Sequence, residues 1–161
     1  MNVLVVYYSK FGNTGKVAET IANVVGTGGS VKCLSLNELN SSDLEGLDLV
    51  IMGTPTHRMN LPDPVKEFFQ SLPKRILQGT PVAAFDTSYK MSWFLGQFTA
   101  SKRLLQMLRK IGGKRIIPPE TFNVAGKEGP LYGGEIERAQ GWAKLILASL
   151  TERNTSPERL K

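Results

Sequence analysis

The apolar positions of this chain switch repeatedly between short continuous runs and stripes at helical spacing. Residues 2–8 and 47–53 are almost unbroken apolar runs, which is typical of strands covered on both faces. Residues 13–25 instead carry apolar side chains such as Val17 and Ile21 at the spacing of one helical face. The pattern therefore predicts strands and helices that alternate along the chain.

The same reasoning assigns the remaining elements. The predicted strands are 2–8, 31–36, 47–53, 81–85 and 114–117, the last with a possible continuation at 121–124. The predicted helices are 13–25, 63–72, 95–111 and 134–150, while 37–46 holds at most a turn or two of helix. We expect a single domain over residues 1–150, followed by a polar, frayed tail at 151–161.

Five strands separated by helices predict an open parallel sheet with helices on both faces. Ligands of such sheets bind beyond the carboxyl ends of the strands. The loops that follow the first, third and fourth predicted strands cover residues 9–14, 54–60 and 86–93, and all are rich in hydroxyl, amide, glycine and aromatic residues. We therefore expect these three loops to form one binding site.

The first loop, Ser9 to Thr14, has the character of an anion site. It precedes a helix, whose first N–H groups are unpaired and carry the positive end of the helix dipole. It lacks the spacing of the triphosphate-binding loop and of the dinucleotide fingerprint. What remains suits a terminal phosphate monoester, although an ordinary turn capped by Asn13 or Thr14 has the same pattern.

Composition and charge limit the classes of function. The chain has 161 residues and a formal net charge of +6, which indicates an acidic partner or simply a lysine-rich surface. Basic residues are not interleaved with aromatic ones along the strands, so nucleic acid binding is disfavoured. With one histidine and one cysteine, neither a Ser/His/Asp or Cys/His triad nor a cysteine metal cluster is credible.

Cys33 and the chain's hydropathy bear on its compartment. Cys33 lies in an apolar predicted strand, and a lone cysteine excludes an internal disulfide. We interpret it as an inert core thiol. No apolar run reaches the length of a membrane span, and no signal peptide is recognised. These features predict a cytoplasmic protein.

The three loops together resemble those of the flavodoxin family. Ser9-Lys10-Phe11-Gly12-Asn13-Thr14 is similar to the family's phosphate loop, 53–56 to its second loop and 86–89 to its third. Gly133-Gly134-Glu135 resembles the start of its last helix, and no insertion divides the fifth strand, as in the short-chain form. The resemblance implies an α/β three-layer sandwich around a five-stranded parallel sheet of order 2-1-3-4-5. It also implies noncovalently bound FMN.

The resemblance further implies which residues bind FMN. The phosphate would be held by the first loop, with Lys10 and Phe11 acting through their backbone N–H groups. The isoalloxazine would be bordered by the second and third loops, and Asp86 would lie near its polar edge or the ribityl chain. The complete set is Ser9, Lys10, Phe11, Gly12, Asn13, Thr14, Thr54, Pro55, Thr56, His57, Arg58, Met59, Asp86, Thr87, Ser88, Tyr89 and Trp93.

Two features of this set are left open by the sequence. Either Tyr89 or Trp93 provides the aromatic face against the ring, or packs under the following helix instead. His57 is either an exposed loop residue or a proton donor.

Many flavodoxins are acidic and have a tryptophan in the second loop, whereas this chain is basic and has His57 and Arg58 there. A cation at Arg58 would favour an anionic reduced flavin and raise the reduction potential.

These features predict an FMN-binding electron-transfer protein whose redox partner has an acidic docking surface. An NAD(P)H-dependent quinone or FMN reductase on the same fold is the first alternative, disfavoured because the second and third loops are short. A flavin-free interaction domain is the second. A phosphorylated receiver domain shares the topology but needs an aspartate at the end of the third strand, where this chain has Gly53.

Overall fold

A computed structural model describes residues 1–90 and 99–155. Its strands are β1 (Asn2–Tyr7), β2 (Ser30–Ser35), β3 (Leu49–Pro55), β4 (Pro81–Tyr89), β5 (Lys114–Arg115) and β6 (Glu120–Val124). Its helices are α1 (Asn13–Val25), α2 (Asp63–Ser71), α3 (Ala100–Lys110) and α4 (Glu135–Thr155). Short 3-10 turns lie at Gly26–Gly28, Leu36–Glu38 and Ser41–Leu44, which agrees with the predicted turn or two of helix before β3.

The strands form one parallel sheet of order β2-β1-β3-β4-β5, with β6 also paired to β4. The first two residues of β4 pair with β5, and its last five pair with β6. Together β5 and β6 therefore fill the fifth position of the sheet, and Pro118-Pro119 separates them because proline cannot donate to a strand ladder. The predicted fold class and strand order are confirmed.

Alternate residues of each strand point to opposite faces of the sheet and build two cores. In β1, Val3 and Val5 belong to the core beneath α1 and α4, whereas Leu4 and Val6 belong to the core beneath α2 and α3. Three rings meet edge-to-face within the first core, with centroids 5.9 to 6.2 Å apart; these are Phe85, Phe122 and Trp142. Helices on both faces explain why the central strands β1 and β3 are almost continuously apolar.

Several element boundaries differ from the sequence predictions. The predicted fourth strand stops at Phe85, but β4 continues to Tyr89 because β6 pairs with its second half. The helix predicted to end at Leu150 continues as α4 to Thr155, so the first five residues of the predicted polar tail are helical. Residues 95–98 of the helix predicted at 95–111 and residues 156–161 lie outside the described residues.

Cys33 packs on the edge of the α1/α4 core and is partly buried. Burial, with smaller contributions from Glu19 and Glu38, raises the pKa of its thiol to about 11. The thiol is therefore protonated at neutral pH and weakly nucleophilic. Among the helices of residues 1–90 and 99–155, none combines the length and apolar character needed to cross a membrane.

Candidate functional site

The carboxyl ends of β1, β3, β4 and β6 meet at one edge of the sheet and enclose a cleft. Its open space is about 380 Å³, and its lining comes from the segments that follow or end these four strands. The lining residues are Ser9, Lys10, Phe11, Asn13, Thr14, Pro55, Thr56, Thr87, Ser88, Tyr89, Val124 and Lys127. None of the described residues in this lining is Asp or Glu, so the cleft is electrostatically suited to an anion.

The β1–α1 loop gathers backbone donors at one end of the cleft. Gly12 adopts a φ of 91°, a left-handed conformation that favours glycine, and α1 begins at the next residue. The Ser9 hydroxyl accepts hydrogen bonds from the N–H groups of Gly12 at 3.0 Å and Gly15 at 3.4 Å. These two N–H groups therefore converge on the Ser9 hydroxyl at the positive end of the α1 dipole, a position that favours an anion such as phosphate.

Side-chain hydrogen bonds fix this loop to two other elements. The buried hydroxyls of Thr14 and Thr87 share a hydrogen bond of 2.8 Å, which joins the start of α1 to the end of β4. The Asn13 amide donates to the Glu128 carbonyl at 3.0 Å, which joins α1 to the segment after β6. Thr14 and Asn13 thus position the loop through their side chains.

The end of β3 supplies Pro55 and Thr56 to the cleft and then turns away. Thr56 N–H donates to the Thr87 carbonyl at 2.9 Å. A tight turn follows, closed by two backbone hydrogen bonds of 2.9 Å between His57 and Asn60. Its central residues, Arg58 and Met59, have positive φ values and are exposed, so their side chains stand at the rim rather than in the lining.

Asp86 lies beneath the cleft and is fully buried. Its carboxylate accepts hydrogen bonds from the Thr56 hydroxyl and, at 2.6 Å, from the Thr121 hydroxyl. Burial raises the pKa of Asp86, while these hydroxyls and the backbone N–H groups of Ser101 and Ala100 act in the opposite direction. Asp86 does not line the cleft, because period-two alternation along β4 turns its side chain toward α3. A place for Asp86 beside the flavin stays a prediction.

The last residues of β4 contribute a buried hydroxyl and an aromatic ring to the cleft. The Ser88 hydroxyl is buried in the lining and has no hydrogen-bond partner among the described residues. Tyr89 follows it and is 48% exposed. A buried polar atom without a partner is costly, so the Ser88 hydroxyl is available to a polar group of a ligand, and Tyr89 offers the adjacent aromatic face.

The structure brings ten of the predicted site residues into the cleft lining. They are Ser9, Lys10, Phe11, Asn13, Thr14, Pro55, Thr56, Thr87, Ser88 and Tyr89. Six others adjoin it without lining it: Gly12 forms the left-handed corner of the loop, Thr54 and Asp86 are buried beneath, and His57, Arg58 and Met59 form the exposed turn. Trp93 lies outside the described residues, so its role remains a prediction.

Two lining residues, Val124 and Lys127, were missed by the sequence analysis. Val124 ends the predicted continuation of the fifth strand, and Lys127 lies in the loop after it. That loop was not among the three that were expected to form the binding site. The same topological rule that identified the other loops applies to this one, because all parallel strands end at the same edge of the sheet. The rule therefore predicts that this loop reaches the cleft, although it does not single out Lys127.

Comparison with known proteins agrees with this geometry. The model of a flavodoxin domain matches residues 4–113, more than half of the chain. The chain belongs to the flavodoxin family. A curated flavodoxin from Clostridium saccharobutylicum is 31% identical over 90 residues, which is 55% of this chain and 56% of that protein. The chain thus spans about half the length of the curated relative it matches.

Solved structures show the same fold along nearly the whole chain. Flavodoxin 2 from Bacillus cereus superposes with a TM-score of 0.76 at 20% identity, covering 95% of this chain and 99% of that one. The rubredoxin:oxygen oxidoreductase from Desulfovibrio gigas superposes with a TM-score of 0.74 at 21% identity, covering 96% of this chain but only 37% of the oxidoreductase. The flavodoxin fold therefore occurs both alone and as part of larger oxidoreductases.

Flavodoxin family membership implies FMN as the cofactor, as the sequence predicted, and the cleft fits this molecule chemically. FMN has a phosphate at one end, a polar ribityl chain and a flat aromatic ring. The Ser9 hydroxyl and the N–H groups around it, at the start of α1, suit the phosphate, and the Ser88 hydroxyl, which has no partner among the described residues, suits a polar group of the ligand. Pro55 and the half-exposed Tyr89 suit a flat ring.

Proposed function

We propose that the cleft binds FMN noncovalently and that the protein acts as an electron carrier. The observation that carries this proposal is the division of the cleft into two ends. In the part of the chain that the structure describes, one end has backbone N–H donors and no carboxylate, whereas the other has Tyr89, Pro55 and a Ser88 hydroxyl without a partner. When bound there, FMN would supply one- and two-electron redox chemistry.

In this proposal the chain's own residues bind, orient and shield the cofactor. The backbone N–H groups of the Ser9–Thr14 loop bind the phosphate, and the Thr14–Thr87 hydrogen bond keeps that loop in register with β4. Ser88 donates a hydrogen bond to a polar group of the ligand. Tyr89 covers part of one ring face and limits its exposure to water.

A carrier is favoured over a substrate-specific reductase because the β3–α2 loop is short. It closes within four residues through the His57–Asn60 turn, which leaves little wall for a nicotinamide pocket. A reductase remains the second candidate, since the oxidoreductase from Desulfovibrio gigas contains this fold within a longer chain. Oxidation of NADPH in the presence of a quinone, measured on purified protein, separates the two.

We also propose that the redox partner docks at the cleft through an acidic surface. Exposed cations stand around the opening on all four contributing segments, and exposed apolar side chains lie among them. The cations are Lys10, Arg58, Lys90 and Lys127, and the apolar residues are Phe11, Met59 and Tyr89. Opposite charges steer association, so the rate of electron transfer to an acidic redox protein would fall as salt increases.

The docking proposal is tested by stopped-flow transfer to one acidic and one basic redox protein over a range of NaCl concentrations. A rate with the acidic protein that does not change with salt would overturn it.

A cytoplasmic location is proposed as well, on the ground that the lone Cys33 cannot form an internal disulfide.

The decisive experiment for the function is spectroscopic. Protein purified without added flavin is examined by absorption, and the flavin-free form is then titrated with FMN and reduced anaerobically. Bound yellow FMN that is reduced and reoxidised reversibly would support the proposal. A colourless protein that FMN neither binds nor stabilises would instead indicate a flavin-free interaction domain.

A further inference from the structure

The β6–α4 segment forms a tight turn that holds Lys127 at the cleft. Ala125 N–H donates to the Pro130 carbonyl at 2.8 Å, and Gly129 N–H donates to the Gly126 carbonyl at 3.0 Å. These two hydrogen bonds close the backbone on both sides of Lys127. The turn is therefore a defined structure, and Lys127 lies at its tip with access to the cleft.

The same turn is docked directly on the phosphate-binding end of the cleft. Asn13, the first residue of α1, donates from its side-chain amide to the Glu128 carbonyl at 3.0 Å. Gly129 has a φ of 104°, and a Cβ built there would lie 2.6 Å from the Asn13 amide nitrogen and oxygen. Only glycine allows this approach, which brings Lys127 next to the β1–α1 loop.

The charges at the phosphate-binding end of the cleft favour a multiply charged anion. Lys10 and Lys127 both line the cleft, and no described carboxylate does. Within residues 1–90 and 99–155, neither lysine forms a salt bridge. Glu128 is exposed and stands outside the lining, with only its backbone carbonyl directed at Asn13. Two lysine charges therefore add to the dipole of α1.

We infer that Lys127 is a further ligand-binding residue, which contacts the FMN phosphate together with the β1–α1 loop and strengthens the selectivity of the cleft for flavin phosphates over uncharged riboflavin. This inference rests on the proposed FMN function and extends it. The two lysines match the charge of a phosphate monoester dianion, whereas the neutral amides of the loop alone would give a smaller preference for the charged ligand.

The inference is tested by measuring the dissociation constants of FMN and riboflavin with flavin-free protein, at low salt and at high salt. The variants are Lys127→Gln, Lys127→Arg and, as a control with the same loss of net charge, Lys144→Gln on the exposed face of α4. Removing one charge-assisted contact is expected to weaken FMN binding about tenfold at low salt. Riboflavin binding is expected to stay unchanged, and Lys127→Arg to retain most of the FMN affinity.

Each other outcome has a distinct meaning. If wild-type protein binds FMN and Lys127→Gln behaves like Lys144→Gln, the inference is wrong and the proposed function stands. If Lys127→Gln weakens FMN and riboflavin equally, the residue acts only through the structure of its turn, and the inference is again overturned. If wild-type protein does not bind FMN at all, both the inference and the proposed function fail.

Discussion

The hydroxyl oxygens of Thr14 and Thr87 lie 2.8 Å apart and are almost completely buried, although 73 residues separate them in the chain. Their hydrogen bond connects the first turn of α1 to the last part of β4. Because these elements carry the two ends of the cleft, this contact sets the distance between the phosphate-binding loop and the residues expected to border the ring.

Thr87→Val keeps the shape of the side chain and removes the hydroxyl, which leaves the Thr14 hydroxyl buried without a partner. We expect the free energy of unfolding of the flavin-free protein to fall by about 1–2 kcal/mol and FMN to bind more weakly. Urea denaturation and flavin titration measure the two effects. Thr87→Ser retains the hydroxyl and serves as the control; equal loss in both variants would contradict the role given to the hydrogen bond.

Asp86 makes stability depend on pH in a predictable direction. Burial raises its pKa in the folded protein above the ordinary value of 3.8, so the folded state holds this proton more tightly than the unfolded state. The contribution of Asp86 is therefore fully present below pH 3.8 and is lost as pH rises through the folded-state pKa.

The measurement compares the unfolding free energy of wild type with that of Asp86→Asn at a series of pH values. The difference, wild type minus variant, is expected to decrease as pH rises from about 3.8 and then to level off. Taking the difference removes the opposite contributions of Glu38 and Asp43, whose pKa values are lowered in the fold. A difference that increases with pH would show that Asp86 is stabilised in its charged form.

Tyr89 is expected to contribute to flavin affinity more than to stability. It is 48% exposed, so truncation costs little packing in the flavin-free protein, whereas a bound ring would lose an aromatic face. Tyr89→Ala should weaken FMN binding by about 1 kcal/mol, and Tyr89→Phe should change it little. Equal affinities in the two variants, measured by titration of flavin fluorescence, would instead favour Trp93 as the stacking residue.

Arg58 is expected to raise the reduction potential of the bound flavin. It is exposed in the His57–Asn60 turn, and a cation at the rim favours the anionic reduced form. Arg58→Ala should lower the two-electron potential by about 10 mV, the equivalent of the roughly 0.5 kcal/mol typical of an exposed charge. Arg58→Lys should keep the wild-type value, and an unchanged potential in Arg58→Ala would exclude this cause.

The local features of the site were accessible from the sequence because they depend on neighbouring residues. The Ser9–Thr14 loop follows a buried strand and opens a helix, and α1 begins at Asn13 as predicted. Gly53 was read as incompatible with a receiver domain, and the structure adds a reason: a Cβ there would lie 2.0 Å from the Phe85 ring. No aspartate fits at this position of the packed sheet.

The environment of Asp86 depends on partners that are distant in sequence. The sequence placed Asp86 in a loop beside the flavin, because nothing near residue 86 indicates that β4 continues. Pairing with β6, which starts at Glu120, extends the strand and turns the carboxylate toward Thr56 and Thr121. Burial and these hydroxyls, rather than the local motif, determine its role.

The alternation of apolar runs and stripes by itself determined the α/β class, the parallel sheet and the edge at which the loops meet, because hydrophobic periodicity fixes which faces are buried. Only the tertiary structure decided that Asp86 lies beneath the cleft, that the Ser88 hydroxyl has no partner among the described residues, and that Lys127 lines the cleft. Lys127 reaches the site through the contact of Asn13 with Glu128, 115 residues away. Contacts at that separation follow from packing, and no local pattern encodes them.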